Sequence, residues 1–324
     1  YTKSEIDTNY GGVKTLYDKN VAAGAGASGW TDLLIALSNG RTQNDKNNDV
    51  VNVNDFGASN TAKLSSKYTT LSDAKKAYSN IASSITTLDQ SLFWAALQSA
   101  ILSLSASGGG EIRISRGNWL LSDPIYGANN VTIVGTGDSC IITAEVNTRW
   151  GNRHLFYGQD CDNFFIKRLK IDQNGRSRGY THATGASLVI NKSKNNGAYN
   201  VVFHDAGDTT SQSSTPQVLI IAKDVTDDLI GFDALIGSVD SAKINKCRFS
   251  MPDKNTRCGF AIRLLTDFLK MRSRDSFVNV IKNCDISDNE FDGDYFWNHI
   301  ELAGGGTKFN DISRNRFTGS GLTA

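Results

Sequence analysis

The chain has 324 residues, 34 Lys+Arg against 33 Asp+Glu, and a net charge of +1. That balance excludes a generic basic nucleic-acid surface, and no apolar run approaches the roughly 18 residues of a membrane-spanning helix. The 30 glycines, 3 prolines and 39% hydrophobic residues in short runs suit many short strands joined by polar turns in one large domain or two ordinary ones.

Residues 1–48 differ from the rest. Thr2-Lys3-Ser4-Glu5 reads as a capping box opening a short helix. The small, flexible run from Ala22 to Gly29 follows, then the brief apolar stretch Trp30–Leu37, and the polar run 44–49 reads as a linker. This segment is too small and glycine-rich to fold alone. It is predicted to pack against partner chains, facing a larger particle, while residues 49–324 form the main domain. The start at Tyr1, without Met or a secretory leader, points to a processed or excised form.

Val50 to Val53 reads as a short strand. Residues 89–107 are predicted as a helix, with Asp89 as N-cap, because Phe93, Ala96, Leu97, Ala100, Ile101 and Leu104 recur at helical spacing. Ser107-Gly108-Gly109-Gly110 stops it. Glu111–Ile114, Trp119–Leu121 and Val131–Val134 are then successive short strands bounded by Gly, Asn or Asp.

Beyond Arg149 two series of apolar strand cores alternate. One runs through Leu155-Phe156-Tyr157, Leu188-Val189-Ile190, Leu219-Ile220-Ile221, Ala261 to Leu264, and His299 to Leu302. The other runs through Phe165-Ile166-Lys167, Val201-Val202-Phe203, Ala242-Lys243-Ile244, Val280-Ile281-Lys282 and Lys308-Phe309-Asn310. Cys284 to Phe291 parallels Asn310 to Phe317, 26 residues later, and Ile244 to Phe249 resembles Ile281 to Ile286. Interleaved strand series at a period of roughly 25–45 residues describe a coil whose rungs bury their apolar faces only by stacking. Doubly wound βα units would need long helices between the strands, and an antiparallel sandwich would need regular tight hairpins. Neither pattern is present. Residues 50–317 are therefore predicted to form one parallel β-helix, with Ile190, Ile262, Ile300 and Leu302 inside.

Val51-Asn52-Val53-Asn54-Asp55-Phe56-Gly57-Ala58, the helix ending at Ala100-Ile101, and Gly108 to Trp119 resemble the opening of the pectate-lyase-like right-handed β-helix family. Pro124-Ile125 and Asn129 to Gly137 continue the resemblance, which is greatest to bacteriophage tailspikes and capsule depolymerases. The start, Tyr1 to Asp7, is similar to segments of phage tail fibres. The resemblance implies an all-β right-handed parallel β-helix whose first rung is plugged by the helix. It further implies a homotrimer, attachment to phage tail or virion proteins through residues 1–48, and action at the bacterial surface. With no trimerisation or lectin-like domain after Phe317, the chain is read as a fragment.

Chemistry-bearing residues are densest near the end of the chain. With Ile300 and Leu302 inward, strand alternation sends Trp297, His299 and Glu301 outward, and aligning Ile262 with Ile300 sets Arg263 beside Glu301. Asp292, Asp294 and Tyr295 lie just before. Glycoside hydrolysis needs two carboxyls: Glu301 is the expected acid, with Asp294 or Asp292 as base or nucleophile. Trp297, His299, Tyr295 and Arg263 are the expected substrate-binding residues. A lyase would instead use His299, Tyr295 and Arg263. Lesser candidates are Tyr180 with His182, which could meet an anionic sugar but read as a solvated loop, and His204-Asp205 with Asp208, read as turn residues; the acidic stretch Asp224 to Asp233 lacks the EF-hand pattern of a calcium site. No Ser-His-Asp motif stands out. The five cysteines (Cys140, Cys161, Cys247, Cys258 and Cys284) lack any CxxC spacing and are read as buried thiols. No cofactor, metal, nucleic-acid partner or membrane insertion is called for.

The leading expectation is a virion-borne enzyme that binds and cleaves a capsular or exopolysaccharide, by hydrolysis rather than β-elimination. The alternatives are a lyase on the same fold, a non-catalytic receptor-binding spike, and a secreted lyase unconnected to phage.

Overall fold

The computed structural model describes residues 49–146, 154–175, 185–205, 216–222, 237–251, 258–266, 280–292, 295–304 and 306–318; the side chains of 258 and 295–298 are outside it. The prediction for residues 1–48 lies outside the described residues.

From Val51 onward the chain winds as a right-handed parallel β-helix. One turn shows the principle. The chain passes through Lys243–Asn245 in an eight-stranded sheet, Arg248–Ser250 in a seven-stranded sheet, Cys258–Thr266 in a six-stranded sheet and Ile281–Lys282 in a four-stranded sheet. It then returns to the eight-stranded sheet at Asp285–Ser287, one coil on, pairing Ile244 with Ile286. All of these ladders are parallel, and the isolated bridge Lys63–Ser91 is antiparallel.

The strands are short because each side of the coil buries only one or two residues before it turns. Arg248, Phe249 and Ser250 show this alternation, with Phe249 alone pointing into the lumen. Phe203, Phe249, Phe291 and Phe317 stack there at centroid spacings of 5.1, 4.8 and 4.9 Å, with planes within 16° of parallel. This is the strand separation itself. At the corners, Asn130, Asn163 and Asn195 all adopt positive φ. Each side-chain amide hydrogen-bonds the next, at 2.8 and 2.7 Å. Asparagine tolerates that left-handed conformation better than other residues with side chains.

The helix spans Leu92–Ala106 rather than 89–107. Its N-cap is Ser91, whose hydroxyl accepts the Trp94 N–H at 3.1 Å, while Asp89 sits two residues too early. Its predicted stripe is buried, and burial extends to Trp94, Ala95 and Gln98. Phe93 packs against Trp119 at 5.1 Å and the Trp94 indole N–H bonds Pro124 O, so the helix covers the first coil.

The 26-residue match is one coil: Ile286 pairs with Ile312 and Phe291 with Phe317. The first strand series lies wholly in the six-stranded sheet, with Phe156, Leu188, Val218, Ile262 and Ile300 in register. The second series is not one ladder. Phe165–Lys167 is in the eight-stranded sheet, Val202–His204 in the seven-stranded sheet and Ile281–Lys282 in the four-stranded sheet. Likewise Ile244 pairs with Ile286, not with Ile281, which pairs with Val239. Segments of two or three residues, each with one inward side chain, look alike on every side of the coil. Ile190 and Ile262 are fully buried, and Ile300 packs on the core. Leu302, opposite the buried Leu264, is 49% exposed because its strand is the last of its sheet.

Candidate functional site

Arg263 and Glu301 are opposite one another in the six-stranded sheet, as the alignment of Ile262 with Ile300 requires. Their Nε and Oε2 atoms are 2.5 Å apart. The guanidinium also lies over the Phe260 ring, 4.8 Å from its centroid. Along the same outward row, however, Leu219, Val189 and Tyr157 are buried in a second apolar cluster with Ile221, Leu265 and Ala303. The row ends at Tyr126, half exposed and stacked on Tyr157 at 4.9 Å. This face is covered rather than an open polar groove.

The structure also separates the other expected site residues. The His299 ring stands edge-on to Phe291 and Phe317, at 5.9 and 5.1 Å, so it meets the luminal column and does not join Glu301 outside. Alternation is disturbed at the head of this strand by a bulge, since Tyr295 to Asn298 spans one residue more than its partner Cys258 to Phe260. Asp292 is exposed at the end of Glu290–Asp292 in the seven-stranded sheet, before the corner. Glu301 lies six residues beyond Tyr295 in the next sheet, about 20 Å along an extended strand. Asp292 and Glu301 thus stand on different sides of the coil. Asp294 lies outside the described residues, as do the side chains of Tyr295 and Trp297.

A different cluster is assembled on the outer face of the seven-stranded sheet. Asp172, His204, Ser250 and Asp292 occupy successive coils in register. Beside them run Lys170, Val202, Arg248, Glu290 and Arg316. His204 Nδ1 is 2.9 Å from Ser250 Oγ. The Asp172 carboxylate accepts the Asn174 N–H at 2.9 Å. Glu290 is 3.7 Å from Arg316. Burial, then Lys170, and more weakly Arg248, hold the His204 imidazole below its ordinary pKa, against the opposing charge of Asp172. His204 and Asp205 are both expected as turn residues. Asp205 does turn, at φ 47°, but His204 is the last residue of a strand. Asp208, Tyr180, His182 and the stretch 224–233 fall outside the described residues.

Two other features are structural. Around the cleft between the helix and Tyr126, Gln98 binds both Tyr126 backbone groups, and Asn80 binds Ser99. Cys140, Cys161, Cys247 and Cys284 are free thiols, pushed by burial up to about 11 for the first two and about 12 for the last two. Among the described residues no group of three His, Cys, Asp or Glu side chains is placed to hold a metal ion.

No family model matches the sequence, and no curated protein matches it. Among solved structures, the chain is similar to the tailspike of Pseudomonas phage phi297, at 12% identity over 85% of this chain and 78% of that one, TM-score 0.38. It is also similar to the tailspike protein of E. coli bacteriophage HK620 in complex with a pentasaccharide, at 14% identity over 87% of this chain and 53% of that one, TM-score 0.41. A third similarity is to iota-carrageenase complexed to iota-carrageenan fragments, at 17% identity over 78% of this chain and 56% of that one, TM-score 0.41. The chain thus spans about half the length of the last two proteins.

Proposed function

We propose that this protein is a phage tailspike that binds and hydrolyses an acidic polysaccharide of the bacterial surface, along the outer face of its seven-stranded sheet. The observation that carries the reading is the pair Glu290 and Asp292. They flank the inward Phe291 on one short strand, so both carboxyls point outward. Two residues of extended strand set their backbones about 7 Å apart, and inversion of the anomeric centre uses carboxyls about 6.5–9.5 Å apart with a water between them. One carboxyl protonates the departing oxygen while the other takes a proton from water. Lys170, Arg248 and Arg316 line the same face and suit a chain bearing carboxylates.

Homotrimer formation and attachment to the virion through residues 1–48 belong to the same proposal, with three chains expected by light scattering of the intact spike. The test of the site is depolymerisation by Asp292→Asn and Glu290→Gln. Each variant is expected to lose at least about 10²-fold in rate while still binding the polysaccharide. Unchanged rates in both would overturn the site. Product mass separates the chemistries: a water added marks hydrolysis, and an unsaturated end marks β-elimination.

A further inference from the structure

We infer that Ser250 and His204, with Asp172, form a second hydrolytic site that removes small O-acyl groups from a glycan. Three strands from three successive coils bring these side chains into one outward row. The Ser250 hydroxyl and His204 Nδ1 are already at hydrogen-bond distance, 2.9 Å. A serine is a weak nucleophile until an adjacent base accepts its proton. The base must therefore be a neutral imidazole, which is the form favoured by the partial burial of His204 and by Lys170 and Arg248. Asp172 faces His204 from the coil before, tethered by the Asn174 amide, and stabilises the imidazolium that forms during attack. Lys170 and Arg248, on the strands either side of His204, supply positive charge for an oxyanion. Ser250 is nearly covered, at 5% exposure, so only a small acyl group, of acetyl size, is proposed as its substrate.

The step is balanced without a cofactor. Ser250 Oγ bonds to the carbonyl carbon as its proton passes to His204. The carbon–oxygen bond to the sugar then breaks, and the sugar oxygen takes that proton. Water next attacks the acyl-serine, again losing a proton to His204, and releases the carboxylic acid and the free serine.

The test uses the full chain with p-nitrophenyl acetate and with an O-acetylated polysaccharide, measuring acetate release. Ser250→Ala and His204→Ala are each expected to lower release by at least about 10²-fold. A fluorophosphonate probe is expected to add mass to the peptide that contains Ser250. Circular dichroism and thermal melting check that Ser250→Ala is folded. Absence of acetate release by the unsubstituted chain, release that survives Ser250→Ala, or labelling elsewhere would overturn the inference. Because it shares no carboxyl with the Glu290–Asp292 pair, its failure leaves the depolymerase reading standing, and the converse holds.

Discussion

Arg263 and Glu301 meet across adjacent strands with their charged atoms 2.5 Å apart and their side chains only about a quarter exposed, 22% and 25%. The contact matches the pairing expected from the sequence. Its surroundings do not, because the row that continues from it is apolar and covered, and the two carboxyls expected to work with Glu301 precede its strand. The pair reads as the polar margin of a packed face.

Glu301→Gln is accordingly expected to lower stability by about 1 kcal/mol, the scale of a partly exposed ion pair, and to leave depolymerisation unchanged. Urea unfolding alongside a viscosity assay measures both. A folded variant slowed by about 10²-fold would restore Glu301 as the acid.

Phe249→Ala removes a ring stacked on both Phe203 and Phe291. The expected cost is about 3–5 kcal/mol, the range for emptying an aromatic site in a core. Phe249→Leu is expected to cost distinctly less. Equal losses by chemical denaturation would contradict a role for the stack itself.

Asn289 is 1% exposed, accepts the Cys247 N–H at 2.9 Å and donates to Ile244 O at 2.7 Å. Asn289→Leu strands both backbone groups, so about 2–3 kcal/mol of stability is expected to go. A neutral Asn289→Leu would show that the amide is dispensable.

His204 gives a pH dependence of defined sign. Its folded pKa lies below the ordinary value of about 6.5. The unfolded chain therefore binds a proton first as pH falls, and folding stability is lost from about pH 6.5 downward. Asp172, Lys170 and Arg248 act on the same ring. His204→Gln is expected to flatten the stability profile between neutral pH and pH 5, read from urea midpoints. A profile that keeps its slope would place the dependence elsewhere.

The fold was legible because the six-stranded sheet has strands long enough to show their apolar cores, and because Cys284–Phe291 recurs one coil later. The functional face was not. Asp172, His204, Ser250 and Asp292 are neighbours in space but stand 32, 46 and 42 residues apart in the chain, whereas the next coil takes only 26 between Phe291 and Phe317. With coils of unequal length, no fixed period can say which outward residues share a row. His299 shares parity with Glu301, yet its ring meets Phe291 and Phe317, a departure from strand alternation that leaves no trace in composition.

The phenylalanine column carries an ambiguity. Phe203, Phe249, Phe291 and Phe317 are interchangeable to one another, so a chain winding one coil out of step would still find aromatic partners at every level. The buried amides repeat in the same way. Asn289 accepts the Cys247 N–H and donates to Ile244 O, and one coil on Asn315 accepts the Asn289 N–H and donates to Ile286 O. Rings and asparagines alike supply cohesion that is indifferent to position, and the unequal lengths of chain between successive rings, 46, 42 and 26 residues, are what distinguish one turn of the winding from the next.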